Sequence, residues 1–114
     1  MAKVKVNGSL KSDYIVISIK TDEDIRPCVA EISKIDDQWY FNRLNVPDKI
    51  RRNGYGTCLM EELVNILDNN EIDLICDLNP SGEMNMAQLT SFYKKFGFIY
   101  TNASGRPIRK HKRR

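Results

Sequence analysis

Between a strand-like run and a long amphipathic stretch, this chain carries Arg51-Arg52-Asn53-Gly54-Tyr55-Gly56-Thr57. Two glycines one residue apart let a backbone turn tightly and approach a ligand with no side chain in the way. The amides of such a turn point outward at the positive end of the helix that follows, a geometry suited to a pyrophosphate. The arginines add charge that pairs with phosphate. Two familiar versions of this device do not fit. A dinucleotide fingerprint needs a third glycine, but Gly54-Tyr55-Gly56 is followed by Thr57-Cys58-Leu59. A nucleoside-triphosphate loop needs Gly-Lys-Ser/Thr at the end of its turn, and that is absent too.

The flanking pattern supplies an α/β frame. Residues 3–6 and Tyr14–Lys20 are apolar and β-branched, two strands with a turn near Gly8-Ser9. Cys28–Ile35 follows Pro27 and ends at Asp36-Asp37, a strand running into a hairpin. Residues 39–46 form the next strand, stopped by Pro47-Asp48. Over residues 56–68, Leu59, Met60, Leu63, Val64, Ile66 and Leu67 recur at helical spacing. Residues 72–78 are a short apolar run, a strand buried under helices. Residues 86–96 form a second amphipathic helix closed by Gly97, with short strands at 98–100 and Pro107–Arg109.

The segment Arg51-x-x-Gly54-x-Gly56 after a strand resembles the acetyl-CoA motif of the GNAT family of N-acetyltransferases. A second run, Phe92-Tyr93-Lys94-Lys95-Phe96-Gly97-Phe98, resembles the signature that closes the fourth helix of that family. Two motifs in the family's order, separated by a helix and a strand, are more specific than either alone. The resemblance implies a mixed, mostly antiparallel α/β sheet with helices on both faces. The first helical pair is expected to be reduced or missing, because residues 7–27 show no helix-length apolar period. It implies one domain over residues 1–109, followed by a basic tail at 110–114. An uncovered acceptor side suits a lysine side chain or N-terminus on a protein better than an enclosed metabolite.

Carried onto this chain, the resemblance gives acetyl-CoA as cosubstrate. Leu44 and Val46 offer backbone groups to its pantetheine arm, and Arg51, Arg52, Asn53, Gly54, Tyr55, Gly56 and Thr57 hold its pyrophosphate. Asn85 stands for the family's cofactor-contacting asparagine, one residue out of the usual spacing, and Lys95 is a candidate for the ribose phosphate. Tyr93 is the candidate acid, since a phenol with a reference pKa of about 10 is matched to protonating a departing thiolate. A lysine amine with pKa about 10.4 is almost entirely protonated at neutral pH, so a base or water relay is needed. Glu31 is the first carboxylate candidate and Asp77 the second.

Composition bounds the alternatives. With 114 residues, 41% hydrophobic and 29% charged, the chain fits one small globular domain. No apolar run reaches the ~20 residues of a membrane span, and residues 1–6 lack a signal-peptide core. Cys28, Cys58 and Cys76 read as small buried hydrophobes, and the single His111 leaves no metal-ligand spacing; a reducing cytoplasm is the expected setting. The segment that begins at Arg106 and ends at Arg114 holds six of the eighteen Lys/Arg and no acid. Residues 1–105 are left with twelve basic against fifteen acidic groups. That tail is a candidate contact for nucleic acid or an acidic protein, and the rival to an enzyme is a binding module that attaches through it. Monomer and homodimer are both compatible with the sequence.

Overall fold

The computed structural model of the chain describes residues 3–21, 25–47, 54–76 and 86–112. Among these, seven strands form one sheet in the order β1-β2-β3-β4-β5-β7-β6. Four antiparallel strands come first: β1 (Lys3–Ser9), β2 (Tyr14–Lys20), β3 (Cys28–Ile35) and β4 (Gln38–Asn45). Helix α1 (Tyr55–Asn69) crosses to β5 (Leu74–Cys76), which pairs with β4 in parallel. Helix α2 (Met86–Lys95) then leads to β6 (Tyr100–Thr101) and β7 (Pro107–Arg109), and β7 returns to pair antiparallel with β5. Elements predicted from the pattern lie within a few residues of these bounds.

Strand alternation decides which side becomes core. Ile15, Ile17 and Ile19 of β2, Cys28, Ala30 and Ile32 of β3, Trp39 and Phe41 of β4, and Leu74 and Cys76 of β5 are all buried. Cross-strand register puts them on one face: Ile17 opposes Ala30, Ile32 opposes Phe41, and Trp39 opposes Leu74. Leu59, Met60, Leu63 and Leu67 of α1 close that face, and α1 lies against β2 and β3. Each fully buried Leu or Ile contributes roughly 1.5–3 kcal/mol of transfer free energy.

Helix α2 covers the same face, since the Tyr93 ring meets Phe41 edge-on with centroids 6.2 Å apart. Helices were expected on both faces, and the two described ones, α1 and α2, lie together on this one. Both described helices share one side because the stretch joining β1 to β2 is only a 3-10 turn, Leu10–Ser12. The opposite face, carrying Val16, Glu31, Ser33 and Tyr40, has no helix over it among the described residues. The reduced first helical pair is thus observed, and among the described residues the helices cover one side of the sheet.

Candidate active site

At the start of α1, Gly54 is the N-cap with φ 84°, and its carbonyl accepts from the Cys58 amide at 3.0 Å. No side chain caps the helix, and its first turn holds no acid. The amides that precede Cys58 lack intrahelical partners by construction, and they sit at the positive end of the helix dipole. A left-handed φ disfavours any residue with a Cβ. Gly56 follows inside the helix, where an added Cβ would lie 3.8 Å from Val46 Cγ2 and 3.9 Å from Phe92 Cζ. The N-terminus of α1 is therefore seated against the end of β4 on one side and against α2 on the other. Tyr55 is half-buried on the core and Thr57 is exposed. Arg51, Arg52, Asn53, Asn85 and Asp77 lie outside the described residues.

Strand β4 is the second component. Its register against β3 slips between Glu31 and Ile32: Glu31 opposes Arg43, whereas Ile32 opposes Phe41, so Asn42 is an extra residue. Such a bulge twists a strand and turns its backbone groups away from the ladder. Among the described residues the last pair of β4 with β5 is Phe41 with Cys76, and β4 itself runs to Asn45. Leu44, on the helix side, and Val46 just beyond the strand are both half-buried against the core. The two residues predicted to serve the pantetheine arm thus lie past the last described pair of β4 with β5.

Tyr93 is fixed by the way α2 ends. Gly97, with φ 97°, gives its amide to the Lys94 carbonyl at 3.1 Å, and the Phe98 amide reaches the Tyr93 carbonyl at 3.2 Å. Those two bonds form the Schellman closure, and the accompanying apolar contact is Tyr93 on Phe98, with centroids 5.6 Å apart. A Cβ on Gly97 would come within 3.1 Å of Arg109 Nε. The second sequence motif is therefore a device that stops a helix and sets the Tyr93 ring against the sheet. Burial, reinforced by a hydrogen bond with the Cys76 side chain, pushes the Tyr93 phenol well above its usual range. Cys76 is the last residue of β5. The hydroxyl thus sits at the last described pair of β4 with β5.

Glu31 is half-buried on the helix-free face, where the Tyr14 hydroxyl donates to its Oε1. Beside it Asn42 Nδ2 donates to Ser33 Oγ, which ties the bulge to β3. Local spacing singled out neither Tyr14 nor Asn42, because both partnerships come from cross-strand register. Lys95 is exposed, as a helix-surface lysine is. Cys28 and Cys76 are buried as expected, but Cys58 is exposed: it falls beside Thr57 on the outer side of the first turn of α1.

The basic C-terminal segment is anchored. Arg109, only 1% exposed, makes a bidentate pair with Asp68 at 2.7 and 3.0 Å and donates to the Phe96 carbonyl at 2.6 Å. The Lys112 amide reaches Asp68 at 2.9 Å. Asp73 takes the His111 amide at 3.0 Å, the His111 ring at 2.8 Å and Lys110 Nζ at 3.4 Å. Part of the charge counted as a tail is thereby committed to α1 and to the approach to β5.

No protein-family model and no curated protein matches the sequence. Solved structures do match. The ribosomal-protein-S18-alanine N-acetyltransferase from Escherichia coli superposes with a TM-score of 0.65 at 14% identity, over 95% of this chain and 89% of that one. The PaiA N-acetyltransferase from Thermoplasma acidophilum, in complex with coenzyme A, gives 0.64 at 20% identity. That alignment covers 90% of this chain but 64% of PaiA, so this chain spans just under two thirds of its length. Taken with the strand order, the β4 bulge and the glycine-capped α1, these likenesses give the chain the fold of the GNAT N-acetyltransferases.

Proposed function

We propose that this chain transfers an acetyl group from acetyl-CoA to a primary amine on a protein. One observation carries the reading. The Tyr93 hydroxyl lies at Cys76, in the last described pair of β5 with β4, and Phe92 beside it lies close to Gly56 at the start of α1. A diphosphate at the α1 amides and a pantetheine arm along β4 bring a thioester toward that hydroxyl. The helix-free face of the sheet leaves room for a macromolecular acceptor on the other side. One neighbour is named for a ribosomal-protein alanine and another was solved with coenzyme A, which agrees with both halves of the proposal.

The chemistry then follows. An acceptor ammonium loses one proton to Glu31, directly or through water, and its freed lone pair forms the C–N bond to the thioester carbonyl. Breaking the C–S bond releases a thiolate, which takes the Tyr93 proton. The surplus proton on the new amide nitrogen returns to the phenolate. Burial makes the phenol a weaker acid than the free side chain, so it stays protonated at neutral pH. It gives up its proton only in concert with C–S cleavage, as negative charge develops on the sulfur. Incubating the protein with labelled acetyl-CoA and candidate lysates, followed by peptide mapping, is the test. Stoichiometric label on a lysine or N-terminal amine is expected. Acetyl-CoA binding with no label on any amine would reject the reading.

A further inference from the structure

The acetyl-transfer reading uses Glu31 but leaves Tyr14 without a task. Tyr14 begins β2 and is 41% exposed, so no packing requirement explains a phenol there. Its hydroxyl donates to Glu31 Oε1 across two strands of the uncovered face. Glu31 stands opposite Arg43, one step before the β4 bulge. On the same face, the Asn42–Ser33 bond fixes the bulge itself. A bare carboxylate on a long side chain would sample several rotamers. A hydrogen bond from a stiff aromatic residue with few rotatable bonds, on the neighbouring strand, selects one of them.

We propose that Tyr14 is a positioning residue, holding Glu31 to receive the charged ammonium of the acceptor. The pair thereby selects alkylammonium acceptors, lysine side chains or protein N-termini, over amines that are neutral at pH 7. This inference rests on the acetyl-transfer reading. Its logic is electrostatic: a fixed carboxylate attracts an ammonium far more than a neutral arylamine, so loss of the pair should penalise only the charged acceptor.

The experiment measures steady-state acetylation of a lysine peptide and of aniline by the wild type, Tyr14→Phe, Glu31→Gln and the double variant, with acetyl-CoA affinity followed by calorimetry. For the peptide, kcat/KM should fall at least tenfold in Glu31→Gln, which loses the base, KM should rise three- to tenfold in Tyr14→Phe, and the double variant should be no worse than Glu31→Gln alone. In Tyr14→Phe, KM for aniline and the acetyl-CoA affinity should change less than twofold. Tyr14→Phe with an unchanged peptide KM, or with an equal rise for aniline, overturns the assignment while leaving acetyl transfer intact. A wild type that binds acetyl-CoA yet acetylates neither acceptor overturns both.

Discussion

At the scale of single residues, the proposed site turns on a hydroxyl and on a hydrogen atom. Tyr93→Phe keeps the ring contacts with Phe41 and Phe98 and removes only the proton donor. Its kcat should fall on the order of 10²-fold or more, with the acetyl-CoA dissociation constant within about threefold of wild type. Equal losses in both would contradict the proton-donor role. Gly54 offers the complementary case. Nothing lies within 4 Å of a Cβ placed there, so the barrier to substitution is its φ of 84° and not crowding. Gly54→Val should cost about 1–2 kcal/mol in that conformation. Relief of that cost by a reoriented turn would move the α1 amides, so acetyl-CoA affinity in calorimetry should drop. An affinity equal to wild type would show that the turn does not hold the diphosphate.

Among elements, the ends of α1, α2 and β7 meet at one buried ion pair. Arg109 is donor to Asp68 on α1 and to the Phe96 carbonyl just past α2, and it packs against Gly97. Removing one partner of such a pair leaves an uncompensated buried charge, typically worth 3–5 kcal/mol. The Arg109 hydrogen bonds, helped by the Lys112 amide, hold the Asp68 carboxyl below its usual range. A depressed folded-state pKa contributes stability that is complete above the unfolded value of about 3.9 and is lost as pH falls through the folded value. Urea unfolding of Asp68→Asn should therefore show its largest deficit near neutral pH, shrinking below about pH 4 as wild-type Asp68 is itself protonated. A deficit that does not change with pH would refute the linkage. This junction also marks what the sequence could and could not disclose. Helix α1 was legible from Leu59, Leu63 and Leu67, and the end of α2 from Gly97, because helical period and glycine caps are local signals. The Asp68–Arg109 pair, the Tyr14–Glu31 contact and the placement of both helices on one face depend on register and on chain segments 40 residues apart. No local pattern encodes them, and for that reason Lys110 to Lys112 read as a free basic end when two aspartates hold them.

For the whole molecule, covering the sheet on one side has an energetic consequence. A domain of this size buries a modest share of its chain surface, and the helix-free face adds little to the core. Tyr40, Ile75 and Ile108, which oppose one another across β4, β5 and β7, are only half-buried. A ligand that bridges α1, β4 and α2 would tie together elements that otherwise share one face of one sheet. Because such a ligand binds the folded state alone, it stabilises by mass action, about 2.7 kcal/mol at a hundredfold excess over its dissociation constant. For a chain this long, that corresponds to a rise in Tm of roughly 10 °C. Coenzyme A and acetyl-CoA should both produce the rise. Pantetheine, which lacks the diphosphate, should produce little at the same concentration, because the α1 amides have no anion to engage. Gly54→Val should give a smaller shift with coenzyme A than wild type and the same null response to pantetheine. Equal shifts with and without the diphosphate would place the binding energy in β4 instead of in the α1 turn, and no shift with coenzyme A at millimolar concentration would remove the basis for acetyl transfer.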